Sequence, residues 1–321
     1  MTLSPFDAFR PDAIAEETLT VNAALAAKMA KVTLAADLPS LREQFARGEG
    51  PIPAAPPSPR ARTLNIRSHD AEIGLRIIAP PSPQGVYLHI HGGAWMLGTN
   101  AMWDDQLERI ADQANLATVS VDYRLAPEHP YPAAVDDCES AALWLIAHAM
   151  DEFGTDRLAI GGESAGAHLS VLTLIRLRER AMQRAFVAAN LMYGGFDLAR
   201  TPSGKSAVTD PVIPAELTAN SSVLFRAGIE PMDPRVSPLY ADLSDMPPAL
   251  LTVGSLDPLV DDSVLMHTRW IKFGNASELA VYPGGLHGFT SLGGQLAAVA
   301  NARADAFLRD AMSGPLPQRV M

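Results

Sequence analysis

Cysteine is nearly absent from this sequence, whose 321 residues contain only Cys138. One thiol cannot form an internal disulfide, which excludes the cross-linked framework of small secreted domains. Cys138 lies in a stretch with helical periodicity, where a small buried apolar side chain is the expected role. Hydrophobic residues make up 48% of the chain and charged residues 19%. We therefore expect a sizeable apolar core, and not disulfides, to stabilise the fold.

Long apolar runs and an excess of positive charge are also missing. No segment approaches 18 uncharged apolar residues, and residues 1–21 do not have the pattern of a signal peptide, so we expect no transmembrane helix and a cytoplasmic location. The net charge is -11 and the sequence pI is about 5.1. An acidic protein does not attract phosphate backbones or anionic bilayers, so neither nucleic acid nor membrane is an expected partner.

The order of predicted elements indicates the fold class. Residues 12–47 contain no strand-like run and favour one or two helices. Five of the ten residues in 51–60 are prolines, which predicts a stiff connector. Short apolar strands then alternate with helices, and this predicts an α/β fold with a mostly parallel sheet flanked by helices. The first two strands, at 64–70 and 72–80, are joined by a short turn and are predicted to be antiparallel.

The segment 162–166 reads GESAG and lies between an apolar strand and a helix. This context is typical of the sharp turn that exposes a nucleophilic serine, and it makes Ser164 the candidate nucleophile. Glycines at both ends allow the neighbouring backbones to pack closely, and the helix N-terminus favours developing negative charge. The alternative is a tight turn with an idle serine.

The segment 91–95 reads HGGAW and follows another apolar strand. Acyl transfer places negative charge on a carbonyl oxygen, and backbone N–H groups freed by Gly92 and Gly93 could stabilise that charge. The N–H of Ala165, directly after the nucleophile, would be a further donor. A glycine-rich turn without chemistry is the alternative.

His89 and His91 also form an H-x-H pair, which raises the possibility of a metal site. No further His/Asp cluster follows them, and a metal would leave the adjacent glycines unexplained. We therefore predict no metal and expect His89 to be a packed strand residue.

The serine needs a histidine base and an acid that orients it, in the chain order serine, acid, histidine. His287 lies in the glycine-rich loop YPGGLHGF after a strand, whereas His267 lies within a helix, where packing or surface exposure is the better interpretation. Asp257 directly follows the strand LLTVG. Asp261 and Asp262 fall in the next helix and are expected to be solvated or capping-side charges. We predict Asp257 as the acid and His287 as the base.

Five segments together carry a family resemblance: HGGAW at 91–95, DYRLAPEHPYPAAVDDC at 122–138, GESAG at 162–166, SLDPLVDD at 255–262 and GLHGF at 285–289. They occur in the order found in the bacterial hormone-sensitive-lipase-like esterases, often called family IV, of the α/β-hydrolase superfamily. Over roughly residues 60–312 the chain resembles that family.

The resemblance implies an α/β-hydrolase fold with a mainly helical cap. Residues 1–50 would form an N-terminal cap segment, and 51–321 a catalytic domain with a cap insertion at about 197–247. It implies hydrolysis of small esters with short to medium acyl chains, through an acyl-enzyme and without a cofactor.

The resemblance also assigns roles within the motifs. The oxyanion donors map to Gly93 and Ala94, with Gly92 shaping the turn, and the stretch 122–128 resembles a turn that braces this loop. Two residues depart from the family pattern. Ala94 replaces a third glycine, and Glu163 replaces the commoner aspartate and is interpreted as a helix-entry charge.

Several alternatives stay open. Kynurenine formamidases share H-G-G-x-W and G-x-S-A-G-A-H-L, so an arylformamidase or a lactonase could use the same three residues. A non-catalytic receptor of this fold is disfavoured because no member of the predicted triad is missing, and an interfacial lipase because no long apolar lid is visible. Trp95 is a candidate substrate-binding wall of the pocket or a simple packing residue. Homodimer formation is frequent in such relatives, but no motif here indicates it.

Overall fold

The computed structural model describes residues 7–53, 56–206, 212 and 215–314, and for 215–219 it describes the backbone alone. The predicted cap and catalytic segments therefore extend, at their ends and within the insertion, beyond the described residues. None of the described helices is both long and apolar enough to span a bilayer.

Eight strands in the described ranges form one sheet in the order β1-β2-β4-β3-β5-β6-β7-β8. Their bounds are β1 Arg62–Ser68, β2 Ala71–Ile78, β3 Gly85–Ile90, β4 Leu116–Val121, β5 Leu158–Glu163, β6 Phe186–Met192, β7 Ala249–Gly254 and β8 Ser277–Tyr282.

The α-helices of the described residues alternate with these strands from β3 onward. Their bounds are α1 Glu16–Met29, α2 Leu38–Ala46, α3 Asp104–Ala114, α4 Ala133–Phe153, α5 Ala165–Glu179, α6 Pro202–Lys205, α7 Ala215–Arg226, α8 Val260–Lys272 and α9 Gly294–Ser313.

The burial of the strands explains why the sheet is mostly parallel. Every residue of β3, β4, β5, β6 and β7 is buried, as expected for strands covered by helices on both faces. β1 instead has an exposed start and pairs with β2 in antiparallel register from Arg62↔Ile77 to Ser68↔Ala71. The predicted antiparallel pair is confirmed. β2 is antiparallel to β4 as well, and the remaining pairs are parallel.

The sheet order brings the predicted motifs to one edge. β3 and β5 are neighbours, with His89↔Gly161 and Ile90↔Gly162 in register. Because parallel strands end at the same edge, the HGGAW segment after β3 and the GESAG turn after β5 emerge side by side. The loops after β7 and β8 emerge at the same edge.

The N-terminal helices lie over this edge. The side-chain amide of Asn22 on α1 donates to the Gly284 carbonyl at 2.8 Å, and Leu25 packs in a buried cluster with Val212 and Leu286. The N-terminal segment thus contacts both the loop before His287 and a residue of the 197–247 insertion. Cys138 is fully buried in α4, which confirms its predicted packing role.

Candidate active site

Ser164 occupies a strained turn between β5 and α5, with φ 54° and ψ -116°. The two glycines of the motif make this turn possible. A Cβ on Gly162 or on Gly166 would lie 1.8 Å from the carbonyl oxygen of Ile90, a distance no side chain can occupy. The turn therefore presses against β3, and the serine stands at the end of the sheet in the way the motif predicts.

Ser164, His287 and Asp257, predicted separately from three motifs, are brought together by the fold. His287 Nε2 lies 3.0 Å from Ser164 Oγ. His287 Nδ1 lies 3.1 and 3.0 Å from the two carboxylate oxygens of Asp257. His287 and Asp257 are 4% and 2% exposed, so that little water competes for these hydrogen bonds. The chain of contacts has the geometry of a nucleophile, a general base and an orienting acid.

The loops after β7 and β8 hold the acid in place. Gly254 packs so closely on Gly285 that a Cβ there would meet the Gly285 carbonyl oxygen at 2.0 Å. The N–H of Leu256 donates to that same carbonyl at 3.1 Å, and the N–H of Leu259 donates to Asp257 Oδ1 at 2.8 Å. The carboxylate is thereby fixed by its own loop and by the loop that carries the histidine.

Tyr193 packs against the histidine and was not predicted. Its ring meets the His287 ring edge to face, with 5.0 Å between centroids, and its hydroxyl hydrogen-bonds Thr290 Oγ1 at 2.6 Å. This packing limits rotation of the imidazole. The available signal was its position in the sequence, an aromatic residue followed by two glycines directly after strand β6.

The HGGAW segment forms a tight loop beside Ser164. A Cβ on Gly92 would lie 2.9 Å from the Glu163 carbonyl, and one on Gly93, which has φ 125°, would lie 2.1 Å from the Leu97 carbonyl. Ala94 has φ 51°, so that the alanine adopts a left-handed conformation that glycine adopts without strain. Among the described residues, the N–H groups of Gly93, Ala94 and Ala165 donate to no backbone carbonyl.

The stretch 122–128 braces this loop, as the resemblance implied. The Tyr123 hydroxyl donates to the His91 carbonyl at 2.9 Å, and the two rings stack with centroids 4.2 Å apart. The N–H of Ala126 donates to the Trp95 carbonyl at 3.0 Å.

Burial lowers the pKa of His91 to about 4, so the ring is neutral at pH 7 and its Nδ1–H donates to the Gly92 carbonyl.

Arg42 on α2 joins the same brace and was not predicted. Its guanidinium donates to the Met96 carbonyl at 2.8 Å and to the Ala126 carbonyl at 3.0 Å. It also forms a bidentate pair with Glu128, both distances being 2.8 Å. A residue of the N-terminal segment therefore holds the backbone directly after the HGGAW segment and that of the bracing stretch 122–128.

The interpretation of Glu163 as a helix-entry charge is wrong. Its carboxylate is buried and lies 3.1 and 3.0 Å from His89 Nε2, and Gln106 Nε2 donates to it. Glu163 is the last residue of β5, and its side chain meets the neighbouring strand β3 and helix α3. His89 Nδ1 lies 2.9 Å from Ser120 Oγ, which confirms that His89 is a packed strand residue.

In the part of the chain that the structure describes, neither His89 nor His91 belongs to a group with metal-ligand spacing. Within the described ranges, such a group comprises His69, Asp136 and Glu139. Asp136 and Glu139 each form an ion pair of 2.8 Å with Arg176, and Glu139 forms a second one of 2.6 Å with Arg180, so the charge of the two carboxylates is already compensated.

The expectation that Asp262 is a solvated or capping-side charge is also wrong. It is buried, and its carboxylate accepts hydrogen bonds from the N–H groups of Phe196 and Asp197 at 2.7 and 2.8 Å and from Thr201 Oγ1 at 2.6 Å. Burial raises its pKa to about 7, an effect that these hydrogen bonds partly oppose. Asp261 accepts from the Ser203 N–H at 2.8 Å. The first turn of α8 faces the 196–203 loop instead of water, and sequence periodicity could not indicate this.

A largely apolar cavity opens above Ser164. Trp95 lines it and is also a packing residue, because its Nε1–H donates to His168 Nδ1 at 3.1 Å and its ring stacks on Phe225 with centroids 5.0 Å apart. Both predicted roles of Trp95 are therefore compatible with its position. The N-terminal part of the chain contributes Phe45 and Ile52 to the cavity wall.

Comparison with known proteins identifies similar sequences. A family described as alpha/beta hydrolase fold matches residues 87–291, more than half of the chain. The chain is 34% identical to the carboxylic ester hydrolase LipN of Mycobacterium tuberculosis over 71% of its own length and 64% of that of LipN. It is 32% identical to the esterase LipI of the same organism, over 66% of this chain and 70% of LipI.

Solved structures agree in fold. An esterase from the bacterial hormone-sensitive lipase family superposes with a TM-score of 0.81 at 29% identity, covering 94% of this chain and 99% of that one. The thermostable carboxylesterase EstE1 from a metagenomic library superposes with a TM-score of 0.78 at 27% identity, covering 88% of this chain and 100% of that one.

Proposed function

Because this chain belongs to the alpha/beta hydrolase fold family, we propose that it is a serine carboxylesterase that hydrolyses short- to medium-chain esters through an acyl-enzyme. The predicted α/β-hydrolase fold and the resemblance to bacterial hormone-sensitive-lipase-like esterases are confirmed. Ester hydrolysis as such is supported by relatives, since LipN and LipI are esterases by name. The acyl-enzyme mechanism, the residues that perform it and the preferred length of the acyl chain are proposed in addition.

The contact between Ser164 Oγ and His287 Nε2, at 3.0 Å, is the observation that carries the mechanism. A serine hydroxyl is a weak nucleophile until a neighbouring imidazole accepts its proton. In the proposed first step Ser164 Oγ attacks the ester carbonyl carbon, and its proton passes to His287 Nε2. Asp257 holds the tautomer with the proton on Nδ1 and stabilises the imidazolium that forms.

The backbone around the serine supports stabilisation of the oxyanion. We assign the donors to the N–H groups of Gly93, Ala94 and Ala165, with Gly92 allowing the loop to approach the nucleophile. The N-terminus of α5 adds a partial positive charge at the same place. Such fixed donors typically supply about 3–4 kcal/mol of transition-state stabilisation each.

The reaction then needs only water. Collapse of the tetrahedral intermediate breaks the bond to the alcohol oxygen, which takes the proton from His287. A water molecule next attacks the acyl-enzyme, giving its proton to His287, and the second collapse returns that proton to Ser164 Oγ and releases the acid. Because protein side chains supply the nucleophile, base and acid, we propose that no cofactor or metal is required.

We propose that residues 1–50 and about 197–247 form a cap over the catalytic domain 51–321. The contact of Leu25 with Val212 and Leu286 supports this, as does the presence of Phe45 and Leu198 in the wall of the cavity. A cavity walled on several sides accepts an acyl chain of finite length, which favours short to medium chains.

A substrate panel tests the proposed function. The purified protein is assayed with p-nitrophenyl esters of two to sixteen acyl carbons, beside N-formylkynurenine and a simple lactone. The highest kcat/KM is expected for acyl chains of roughly four to eight carbons. A preference for long-chain triglyceride emulsions would contradict the proposed pocket. A higher kcat/KM for N-formylkynurenine would make the chain an arylformamidase with the same triad.

A further inference from the structure

The cavity wall contains a cation that no described carboxylate neutralises. Arg200 is half-buried and lines the cavity that Ser164 and His287 also line. Its guanidinium donates to the carbonyl of Gly204, while its buried Nε has no hydrogen-bond partner. Among the described residues that form the wall, Arg200 is the sole lysine or arginine. A guanidinium without a counter-ion in a largely apolar wall is poorly compensated, which favours an anionic ligand.

The backbone places this side chain at some conformational cost. Arg200 has φ 66°, a left-handed conformation that glycine or asparagine adopts more readily. The N–H of Arg200 donates to the Asp197 carbonyl at 3.0 Å and so forms a turn. The next residue, Thr201, donates to the buried carboxylate of Asp262, which fixes this loop. Arg200 therefore lies on a loop whose backbone is fixed by hydrogen bonds on both sides of it.

We infer that Arg200 binds a carboxylate carried by the substrate, so that the preferred esters have a second, anionic end. The inference rests on the proposed function and specifies its substrate class. A guanidinium presents planar N–H donors that match a carboxylate in a bidentate manner. The cavity wall also contains the apolar side chains of Leu198, Val212 and Leu259, which suit the methylene spacer between an ester and such a group.

The surrounding charges favour a singly charged group over phosphate. Asp197 also lines the cavity, and its Oδ1 accepts from the Ala199 N–H at 2.8 Å. The protein as a whole has a net charge of -11, so a dianion would be repelled both locally and over distance. One carboxylate can pair with the Arg200 guanidinium, whereas a dianion would add a second negative charge to a wall that already contains Asp197. Because the net charge of the protein does not attract an anion over distance, we expect Arg200 to lower KM through short-range hydrogen bonds and not through a higher association rate.

The test compares matched ester pairs in the wild type and in Arg200→Met. Mono-p-nitrophenyl succinate, glutarate and adipate place the carboxylate on the acyl side, and p-nitrophenyl butyrate, valerate and hexanoate are their neutral counterparts. 4-Acetoxybenzoate and its methyl ester place it on the alcohol side. In at least one series, Arg200→Met should raise KM roughly ten- to a hundredfold more for the carboxylate ester than for its counterpart, and Arg200→Lys should restore part of the difference.

Arg184→Met provides the charge control. Arg184 forms an ion pair with Asp245 at 3.0 Å and does not line the cavity, so its removal changes the net charge equally but should leave the preference intact. Equal effects of Arg200→Met on charged and neutral esters in both series would overturn the inference. So would the same loss of preference in Arg184→Met.

A binding measurement separates this inference from the proposed function. If neutral and charged esters are all left intact, the proposed function fails. Calorimetric titration of monomethyl glutarate into Ser164→Ala, and into the same protein carrying Arg200→Met, then decides the inference alone. We expect a Kd roughly ten times lower when Arg200 is present. Equal affinities would overturn it.

Discussion

The hydroxyl of Thr201 donates a 2.6 Å hydrogen bond to the buried carboxylate of Asp262, and this contact ties helix α8 to the loop beside the substrate cavity. Asp262 is only five residues from Asp257, which contacts the candidate base His287. Two acids of one short motif therefore have different roles. Asp257 contacts the histidine and is the proposed orienting acid, whereas Asp262 holds the wall of the cavity.

Replacement of the nucleophile should abolish turnover without unfolding the protein. Ser164→Ala should lower kcat by several orders of magnitude, because the hydroxyl that attacks the ester is lost while the melting temperature is little affected. Ser206→Ala, which changes another serine of the cavity wall, is the matched control and should retain activity. Peptide mapping after organophosphate treatment should find the label on Ser164, and a label elsewhere would contradict the assignment.

The three aspartates of the SLDPLVDD motif should differ in their effect on kcat. Asp257→Asn should lower kcat by roughly three to four orders of magnitude, as loss of the orienting carboxylate does in other triads. Asp261→Asn should retain kcat within a few-fold, since the hydrogen bond that its carboxylate accepts within the described residues comes from the Ser203 N–H and not from His287. Asp262→Asn should keep kcat but change KM, because it holds the cavity wall. If Asp261→Asn were inactive and Asp257→Asn active, the acid would be misassigned.

Asp262 should also make stability depend on pH. Burial raises its pKa from 3.8 to about 7 in the folded protein, so the folded state holds a proton that the unfolded state releases. Its stabilising effect is therefore complete below about pH 4 and is lost as the pH rises toward 7. The melting temperature of the wild type, relative to that of Asp262→Asn, should fall between pH 4 and 7. A constant difference across this range would show that the carboxyl does not titrate in the folded state.

Asp262→Ala separates hydrogen bonding from titration. This variant leaves the N–H groups of Phe196 and Asp197 without their acceptor, which should cost about 2–3 kcal/mol at low pH. Asp262→Asn retains a carbonyl oxygen for them and should cost less. Equal losses in the two variants would mean that these hydrogen bonds do not hold the loop.

Glycine in place of Ala94 should make the folded protein more stable. Its φ of 51° is strained for alanine, so Ala94→Gly should stabilise the protein by about 0.5–1 kcal/mol after the entropy of the unfolded chain is taken into account. Ala23→Gly in the exposed part of α1 should have the opposite sign, costing about 1 kcal/mol. Denaturant unfolding of both variants checks this, and destabilisation by Ala94→Gly would contradict the backbone geometry of the loop.

Arg42 should influence turnover from outside the catalytic motifs. Arg42→Met removes the donors to the Met96 and Ala126 carbonyls, and we expect kcat to fall roughly tenfold and stability by about 1–2 kcal/mol. Arg47→Met, directly after the same helix, is the control, because the side chain of Arg47 forms its ion pairs in the described part of the chain with the exposed Glu43 and Glu49. A loss of stability with kcat unchanged would show that Arg42 attaches α2 without positioning the loop.

The sequence alone was sufficient for the features that depend on local backbone geometry and periodicity. The alternation of strands and helices predicted a mostly parallel sheet because buried strands and amphipathic helices have different periods. GESAG and HGGAW could be interpreted because a sharp turn and a close backbone approach require glycines at fixed positions, such as Gly162 and Gly166 against Ile90. Asp257 and His287 followed from their position in loops after strands.

The tertiary structure decided what depends on partners distant in the chain. Glu163 and Asp262 are acids at the ends of elements, and their sequence neighbours predicted helix-dipole or solvated charges. Their actual partners, His89 and Thr201 respectively, come from other elements, and burial among those elements also sets the pKa of Asp262. The position of Arg200 in the cavity has the same origin. A side chain's charge is local information, but its desolvation and its hydrogen bonds exist only once the chain has folded.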